Sequence, residues 1–137
     1  MSILYPALAL FVLTAVCVFR LGYVRFGAIR RGEIDPRFFK DFRGQEEPEV
    51  LRVHARHVRN LFEAPVLLYV IVLIAYTTQH SGWLPVLLAW AYVLLRAAHS
   101  WVHLTSNRVM LRFRLFALSW IVLLVLWLVV FAGIALR

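Results

Sequence analysis

Residues 115–136 read LFALSWIVLLVLWLVVFAGIAL, a run of 22 residues without a charged side chain. As one α-helix, a run of this length crosses the roughly 30 Å hydrocarbon core of a bilayer. The rest of the 137-residue chain is nearly as apolar, since hydrophobic residues make up 63% of it and charged residues only 16%. A soluble domain of this size cannot bury so much apolar surface. The sequence therefore predicts an integral membrane protein, and this composition with one cysteine excludes a disordered chain or a disulfide scaffold.

Three further apolar segments have the length of a membrane span. The first ends near Arg20, because residues 1–19 carry no charged side chain. Residues 64–95 are also uncharged, but they are too long for one span and are divided by the polar turn TTQHSG at 77–82. We therefore predict spans over about 2–24, 48–78, 83–105 and 113–136, with a kink at Pro65. Because lipid cannot satisfy free backbone groups, we expect an all-α membrane protein, a four-transmembrane-helix bundle in a single domain over 1–137.

The charged residues lie mainly between the apolar runs. Residues 20–59 hold ten basic and six acidic side chains, and Gly27, Gly32, Pro36 and Gly44 predict a loop there. A helix is expected to begin at Pro48, because proline favours the first turn and acidic residues follow it. This distribution favours a membrane protein over a nucleic-acid-binding one, although the net charge is +8.

The arginines also predict how the chain crosses the membrane. The first and third connections carry thirteen basic residues, whereas the turn around Gln79 carries none. By the positive-inside rule, the first and third connections face the cytoplasm and both termini lie on the other side. The sequence begins without the basic segment and cleavage site of a signal peptide. We expect a multi-pass membrane protein, and these features suit a bacterial inner membrane, although an internal eukaryotic membrane would give the same pattern.

Polar side chains within the second predicted span share one helical face. In a continuous helix, Arg59 and Glu63 are spaced to pair. The face consists of Arg52, Arg56, Arg59 and Glu63, with Asn60 beside it. Charged groups at membrane depth cost about 2.5–3.5 kcal/mol each on insertion scales. A single buried pair could serve only to hold helices together.

Two further polar faces favour a binding site over a purely structural role. Five arginines at similar depth outnumber the one carboxylate, Glu63, and this excess of buried positive charge predicts an anionic ligand. Guanidinium groups match carboxylates bidentately, so we predict a polycarboxylate, with Asn60 and Glu63 available for an amide or ammonium group. The two faces are Tyr92, Arg96, His99, Ser100, His103 and Asn107 on the third helix, and Arg108, Arg112 and Ser119 at the fourth.

The remaining reactive side chains, two histidines and one cysteine, indicate neither a metal site nor a catalytic cysteine. His99 and His103 are spaced i, i+4, but the neighbouring arginines repel a cation, and hydrogen bonding is the commoner role of such a pair. Cys17 lies in an apolar span without a base nearby in sequence, so we predict no catalytic role for it. We expect no metal cofactor.

These motifs resemble those of the MAPEG family, the membrane-associated proteins in eicosanoid and glutathione metabolism. The stretch RHVRNLFEAP at 56–65 resembles the family's Arg-Asn-x-x-Glu signature. The stretch RAAHSWVH at 96–103 resembles its Arg-x-x-His/Tyr-x-x-x-Tyr pattern. Arg108 and Arg112 fall at the start of the fourth helix, where the family keeps its functional arginines. The resemblance covers nearly the whole chain: length, four spans, basic first loop and three motif sites.

The resemblance implies a homotrimer that binds glutathione as co-substrate between neighbouring subunits, on the cytoplasmic side. Its partners would be membrane lipids and a lipophilic electrophile. The resemblance assigns stabilisation of the glutathione thiolate to Arg112. The register of the turn before the fourth helix also allows Arg108 or Arg114 in that role. The residues that it implies for glutathione binding are Arg56, Arg59, Asn60, Glu63, Arg96, His99, His103 and Arg108.

Three departures from the family pattern leave two interpretations open. Phe113 stands where catalytic relatives have a hydroxyl residue, Phe116 where some have a tyrosine, and His103 where tyrosine is usual. The first interpretation is a membrane glutathione transferase or peroxidase that acts on lipophilic electrophiles. The second is a non-catalytic membrane protein that binds lipid headgroups or another anion.

The orientation can be tested by cysteine labelling. Gly44→Cys in a Cys17→Ala background places the only thiol in the first connection, which is expected in the cytoplasm. A membrane-impermeant thiol reagent should label this variant only after the cells are opened. Labelling in intact cells would contradict the orientation.

Overall fold

The computed structural model describes residues 2–136, and its regular elements there are all α-helices. Helix α1 covers Leu4–Arg30, α2 Phe38–Asp41, α3 Glu49–Leu61, α4 Val66–Thr77, α5 Trp83–Leu104 and α6 Val109–Ala135. Four segments are long and apolar enough to cross a membrane: α1, the pair α3–α4, α5 and α6. The predicted all-α fold with four membrane-crossing helices is therefore confirmed.

The first helix extends beyond the end of the predicted span. It continues to Arg30, so Gly27 lies inside a helix, and its placement in a loop was wrong. The extension is held by tertiary packing, since Ala28 is fully buried in a small cluster with Ile34, Phe38 and Leu51. The end of the uncharged run predicts where lipid contact ends, but it does not predict where the helix ends. Here α1 continues into the region that was predicted to be the first connection.

The second membrane segment is interrupted before Pro65. Helix α3 begins at Glu49 after Pro48, as predicted, and ends at Leu61, and α4 begins at Val66. Proline has no N–H, and its ring clashes with the carbonyl group four residues earlier, so a straight helix cannot continue through it. The kink predicted at Pro65 is therefore a full break between two helices.

This break corrects the predicted position of Glu63. Because α3 ends at Leu61, Glu63 lies in the turn beyond it and does not continue the arginine face in helical register. The expected pairing of Glu63 with Arg59 was also wrong. Within residues 2–136 the ion pair joins Arg31 and Glu33 instead, with 2.5 Å between Nε and Oε1. That pair is exposed on the first connection, where the Arg31 guanidinium lowers the pKa of Glu33.

The apolar core lies where the four membrane-crossing segments meet, and α5 and α6 pack along each other more extensively than any other pair. Large apolar side chains on the outer faces stay exposed, as expected for helices that contact lipid. The buried members of the core are Ile3, Leu10, Leu68, Ile71, Val72, Ala75, Val86, Ala89, Tyr92, Val93, Leu123, Leu126 and Val130.

A buried histidine joins α1 to α3 and sets where α3 lies. Nδ1 of His54 donates to the carbonyl oxygen of Val50 at 2.8 Å, and Nε2 accepts a hydrogen bond from Nε of Arg20 at 3.2 Å. The two bonds together require one tautomer, with the proton on Nδ1. They hold the inner face of α3 against α1 and leave its opposite face pointing away from the bundle.

Two helical glycines should respond to alanine in opposite directions. Nothing lies within 4 Å of a Cβ added at Gly22, so Gly22→Ala should stabilise the protein by about 0.5–1 kcal/mol through helix propensity. A Cβ at Gly133 would lie 2.9 Å from Cδ2 of His80, whose ring is held by a 2.8 Å bond to the Thr78 carbonyl oxygen. Gly133→Ala should therefore lower the melting temperature in detergent. A rise for both variants would contradict this packing.

Candidate binding cavity

A cavity of about 450 Å³ opens between the end of α3, the C-terminal half of α5 and the first turns of α6. This volume is within the range of about 300–1,000 Å³ that is usual for small-molecule sites. Of the nine predicted site residues, all but Arg96 and Arg108 line it. The lining consists of Arg56, Arg59, Asn60, Glu63, His99, His103, Val109, Arg112, Phe113 and Phe116.

The arginines of α3 lie at the open side of this cavity. Helix α3 turns Leu51, His54, His57 and Leu61 toward the bundle interior. Arg56 and Arg59 fall on the other side of the helix and are exposed in the single chain, as is Arg52. This arginine face is therefore not buried within one chain. Periodicity identified a polar face, but the histidines occupy the face that packs inward.

Arg96 lies behind the cavity wall and is completely buried. Its Nη2 donates to Oδ1 of Asn60 and, at 3.4 Å, to the backbone carbonyl oxygen of Asn60. Carbonyl groups in the last turn of a helix lack intrahelical donors, and a cation is favoured at that end. Arg96 thus caps the interrupted end of α3 and holds the Asn60 side chain, which itself lines the cavity.

Arg112 is held in the cavity from two directions. Its Nη1 donates to Oδ1 of Asn107 at 2.7 Å and lies 3.5 Å from Nε2 of His103. Asn107 adopts a left-handed backbone conformation, with φ of 46°, which asparagine tolerates better than most residues. Arg112 lines the cavity, whereas Arg108 and Arg114 are exposed outside its lining.

Three histidine rings cluster behind and beside Arg112. The ring of His57 lies 4.9 Å from that of His103 and 6.0 Å from that of His99, measured between centroids. Nδ1 of His99 donates to the carbonyl oxygen of Arg112 at 3.1 Å. His57 was not predicted as a site residue, because the arginines define one face of α3 and His57 lies on the opposite face. The two histidines at i and i+3, His54 and His57, were the signal that could have revealed an inward polar face.

The outer wall of the cavity is apolar and comes from α6. It is formed by Val109, Phe113 and Phe116, and the Phe116 ring lies 6.1 Å from the ring of His99. The lining contains no serine, threonine or tyrosine. Within residues 2–136 no group of three or more histidine, cysteine or acidic side chains is arranged to hold a metal ion. The site therefore combines guanidinium groups, imidazoles and an apolar surface.

The contact between Arg96 and Asn60 predicts a difference between two substitutions. Asn60→Leu removes the side-chain acceptor and leaves Nη2 of the buried Arg96 with only the 3.4 Å bond to the backbone carbonyl oxygen, and poor pairing of a buried group costs up to about 1–3 kcal/mol. Asn60→Asp keeps the shape and supplies a carboxylate, so it should be at least as stable as the wild-type protein. Melting temperatures in detergent test this order. Equal loss of stability in both variants would show that Arg96 does not depend on this acceptor.

Comparison with known protein families gives a match, and it spans nearly the same residues as the fold described above. The model of the MAPEG family matches residues 3–132 of the chain, which includes every residue that lines the cavity. No curated protein and no solved structure gives a significant match. The match covers nearly the whole chain and agrees with the four membrane-crossing helices. The chain therefore belongs to the MAPEG family, whose members are membrane proteins of glutathione and eicosanoid metabolism.

Proposed function

We propose that the protein is an integral membrane glutathione transferase or peroxidase that acts on lipophilic electrophiles. The observation that carries this proposal is the composition of the cavity. Its lining has three guanidinium groups against one carboxylate, and it adjoins an apolar wall. A peptide anion and an apolar electrophile can meet in such a site, which neither a purely polar nor a purely apolar cavity would allow.

Glutathione suits the polar side of the cavity because it carries two carboxylates, an amino group and two amides. We assign its carboxylates to Arg56 and Arg59, whose forked donors match them in pairs. Glu63 offers a counter-charge for the amino group, and Asn60 offers an amide. Arg96 acts through Asn60, which it holds by two hydrogen bonds. Arg108, exposed at the start of α6, is proposed to contact the ligand only at the rim.

We assign stabilisation of the glutathione thiolate to Arg112. A fixed cation favours the thiolate over the thiol, and a thiolate is the nucleophile in thiol chemistry. Asn107 and His103 hold the Arg112 guanidinium, so its charge is already in position before the reaction. Preorganised charge of this kind is effective because little reorganisation is needed at the transition state. The electrophile is proposed to dock on Val109, Phe113 and Phe116 from the bilayer.

A homotrimer would explain the exposed arginine face of α3. Arg56 and Arg59 lie on the outside of a segment that is apolar enough to cross a membrane. A charged side chain facing lipid costs about 2.5–3.5 kcal/mol, so this face needs a protein neighbour. We propose that a second copy covers it and completes the cavity in a closed ring of three. The cavity would then open toward the cytoplasm of a bacterial inner membrane, with both chain termini outside.

One observation favours a second candidate function. The cavity lining has no hydroxyl group, and it includes Phe113 and Phe116, the positions where the family resemblance implies a hydroxyl residue in catalytic members and a tyrosine in some of them. A protein that binds lipid headgroups or another anion would need the arginines but no group for thiol chemistry. This alternative predicts anion binding without formation of a thiolate.

Substitution of Arg112 distinguishes these functions. In the wild-type protein, bound glutathione should give thiolate absorbance and conjugate a small aromatic electrophile at neutral pH. Arg112→Leu should lower both by about 100-fold or more, as loss of a transition-state charge partner does, while glutathione affinity falls less. Arg114→Leu is the matched control, because Arg114 is exposed on the same helix outside the lining. Binding without a thiolate signal in the wild-type protein would favour the anion-binding alternative.

A further inference from the structure

We propose that His99 is the general base that accepts the proton of the bound thiol. The inference rests on the proposed glutathione chemistry and adds a catalytic residue to it. Arg112 can stabilise a thiolate, but a guanidinium has no lone pair with which to accept a proton. The cavity must therefore contain another group for that step, or release the proton directly to water.

The hydrogen bonding of His99 prepares its ring for this role. Nδ1 lies 3.1 Å from the carbonyl oxygen of Arg112, and a carbonyl oxygen can only accept, so Nδ1 carries a proton. In the neutral ring the lone pair is then on Nε2. Nε2 makes no hydrogen bond within residues 2–136, and the ring lines the cavity. The hydrogen bond to the Arg112 carbonyl oxygen thus fixes the tautomer of His99 and places its ring beside Arg112, the residue that is proposed to stabilise the thiolate.

The other candidate bases are less suitable. Nε2 of His103 already faces a donor, Nη1 of Arg112, at 3.5 Å. His57 is completely buried and does not line the cavity. Glu63 lies in the turn beyond α3, and the proposed function assigns it to the glutathione amino group. The lining contains no hydroxyl that could relay the proton.

The groups around His99 come from all three helices that form the cavity. His57 of α3 stacks on its ring at 6.0 Å between centroids, and His103 of α5 lies at 5.7 Å. Arg96 of α5 and Arg112 of α6 supply the neighbouring positive charges. These charges also stabilise the thiolate, so an imidazolium would form there as one member of an ion pair with the sulfur.

The proposed step is balanced in atoms and charge. The S–H bond of glutathione breaks, its proton moves to Nε2 of His99, and the electron pair stays on the sulfur. The sulfur then bonds to an electrophilic carbon of the second substrate, such as the ring carbon of an activated aryl halide. The halide leaves with its bonding electron pair, and His99 returns the proton to water.

His99→Asn tests this role without removing the orienting contact. The Asn Nδ2 group can replace Nδ1 as the donor to the Arg112 carbonyl oxygen, but the amide cannot act as a base. We expect glutathione affinity to stay within about twofold and the rate constant of thiolate formation to fall by about 100-fold or more. Added imidazole should restore part of that rate. His80→Asn is the control, because His80 lies in the turn between α4 and α5 and should leave the rate unchanged.

A second measurement on the wild-type protein covers the case in which His99→Asn does not fold. With ¹⁵N-labelled histidine, saturating glutathione should produce an imidazolium signal together with the thiolate absorbance. S-methylglutathione, which has no thiol proton, should not. Thiolate without imidazolium, or a His99→Asn rate within twofold of wild type, overturns the assignment of His99 but leaves the proposed function standing. A wild-type protein that does not bind glutathione overturns both.

Discussion

Arginine at membrane depth needs an acceptor or a counter-charge, because lipid offers neither. Arg20, Arg96 and Arg112 find hydrogen-bond acceptors inside the bundle, from histidine and asparagine side chains. The guanidinium groups of Arg56 and Arg59 donate no hydrogen bond within residues 2–136, and both residues line the cavity. Nε and Nη1 of Arg96, directly behind the cavity wall, also lack a hydrogen-bond partner in the described part of the chain, so unmatched positive charge lies both at the mouth and behind the wall of one site. That concentration is the physical basis for proposing an anionic ligand and for proposing a neighbouring subunit at the same face.

The break before Pro65 connects the fold to this site. In an unbroken helix the carbonyl group of Asn60 would accept from the amide four residues later. Because α3 ends at Leu61, that carbonyl group instead accepts from the nearer Glu63 amide at 3.4 Å and, also at 3.4 Å, from Arg96, which binds the Asn60 side chain as well. A buried arginine of α5 thus holds the end of α3 in place. The same α5 carries His99 and His103, which contact Arg112, so the three walls of the cavity are joined by hydrogen bonds between neighbouring helices.

The sequence was sufficient for the features that depend on local pattern. Charge-free runs predict the four membrane-crossing helices, and proline chemistry predicts a kink at Pro65, where the structure has a full break between α3 and α4. Tertiary contacts decide the rest. Ala28 packs against the first connection and lengthens α1, and His54 bonds to Arg20 and turns the arginine face of α3 outward. Periodicity shows which residues share a face but not which face packs inward, so the inward position of His57 and the outward position of Arg56 on the single chain were not predicted.

Calorimetric titration with glutathione and with its diethyl ester tests the central claim most directly, because the ester keeps the thiol and the amides but has no carboxylates. Unmatched arginine charge predicts that glutathione binds the detergent-solubilised protein and that the ester binds at least about tenfold more weakly. Loss of one charge-assisted hydrogen bond already accounts for a difference of this size, at about 1.5–3 kcal/mol. Equal affinity for the two compounds, or binding of neither, would contradict the account.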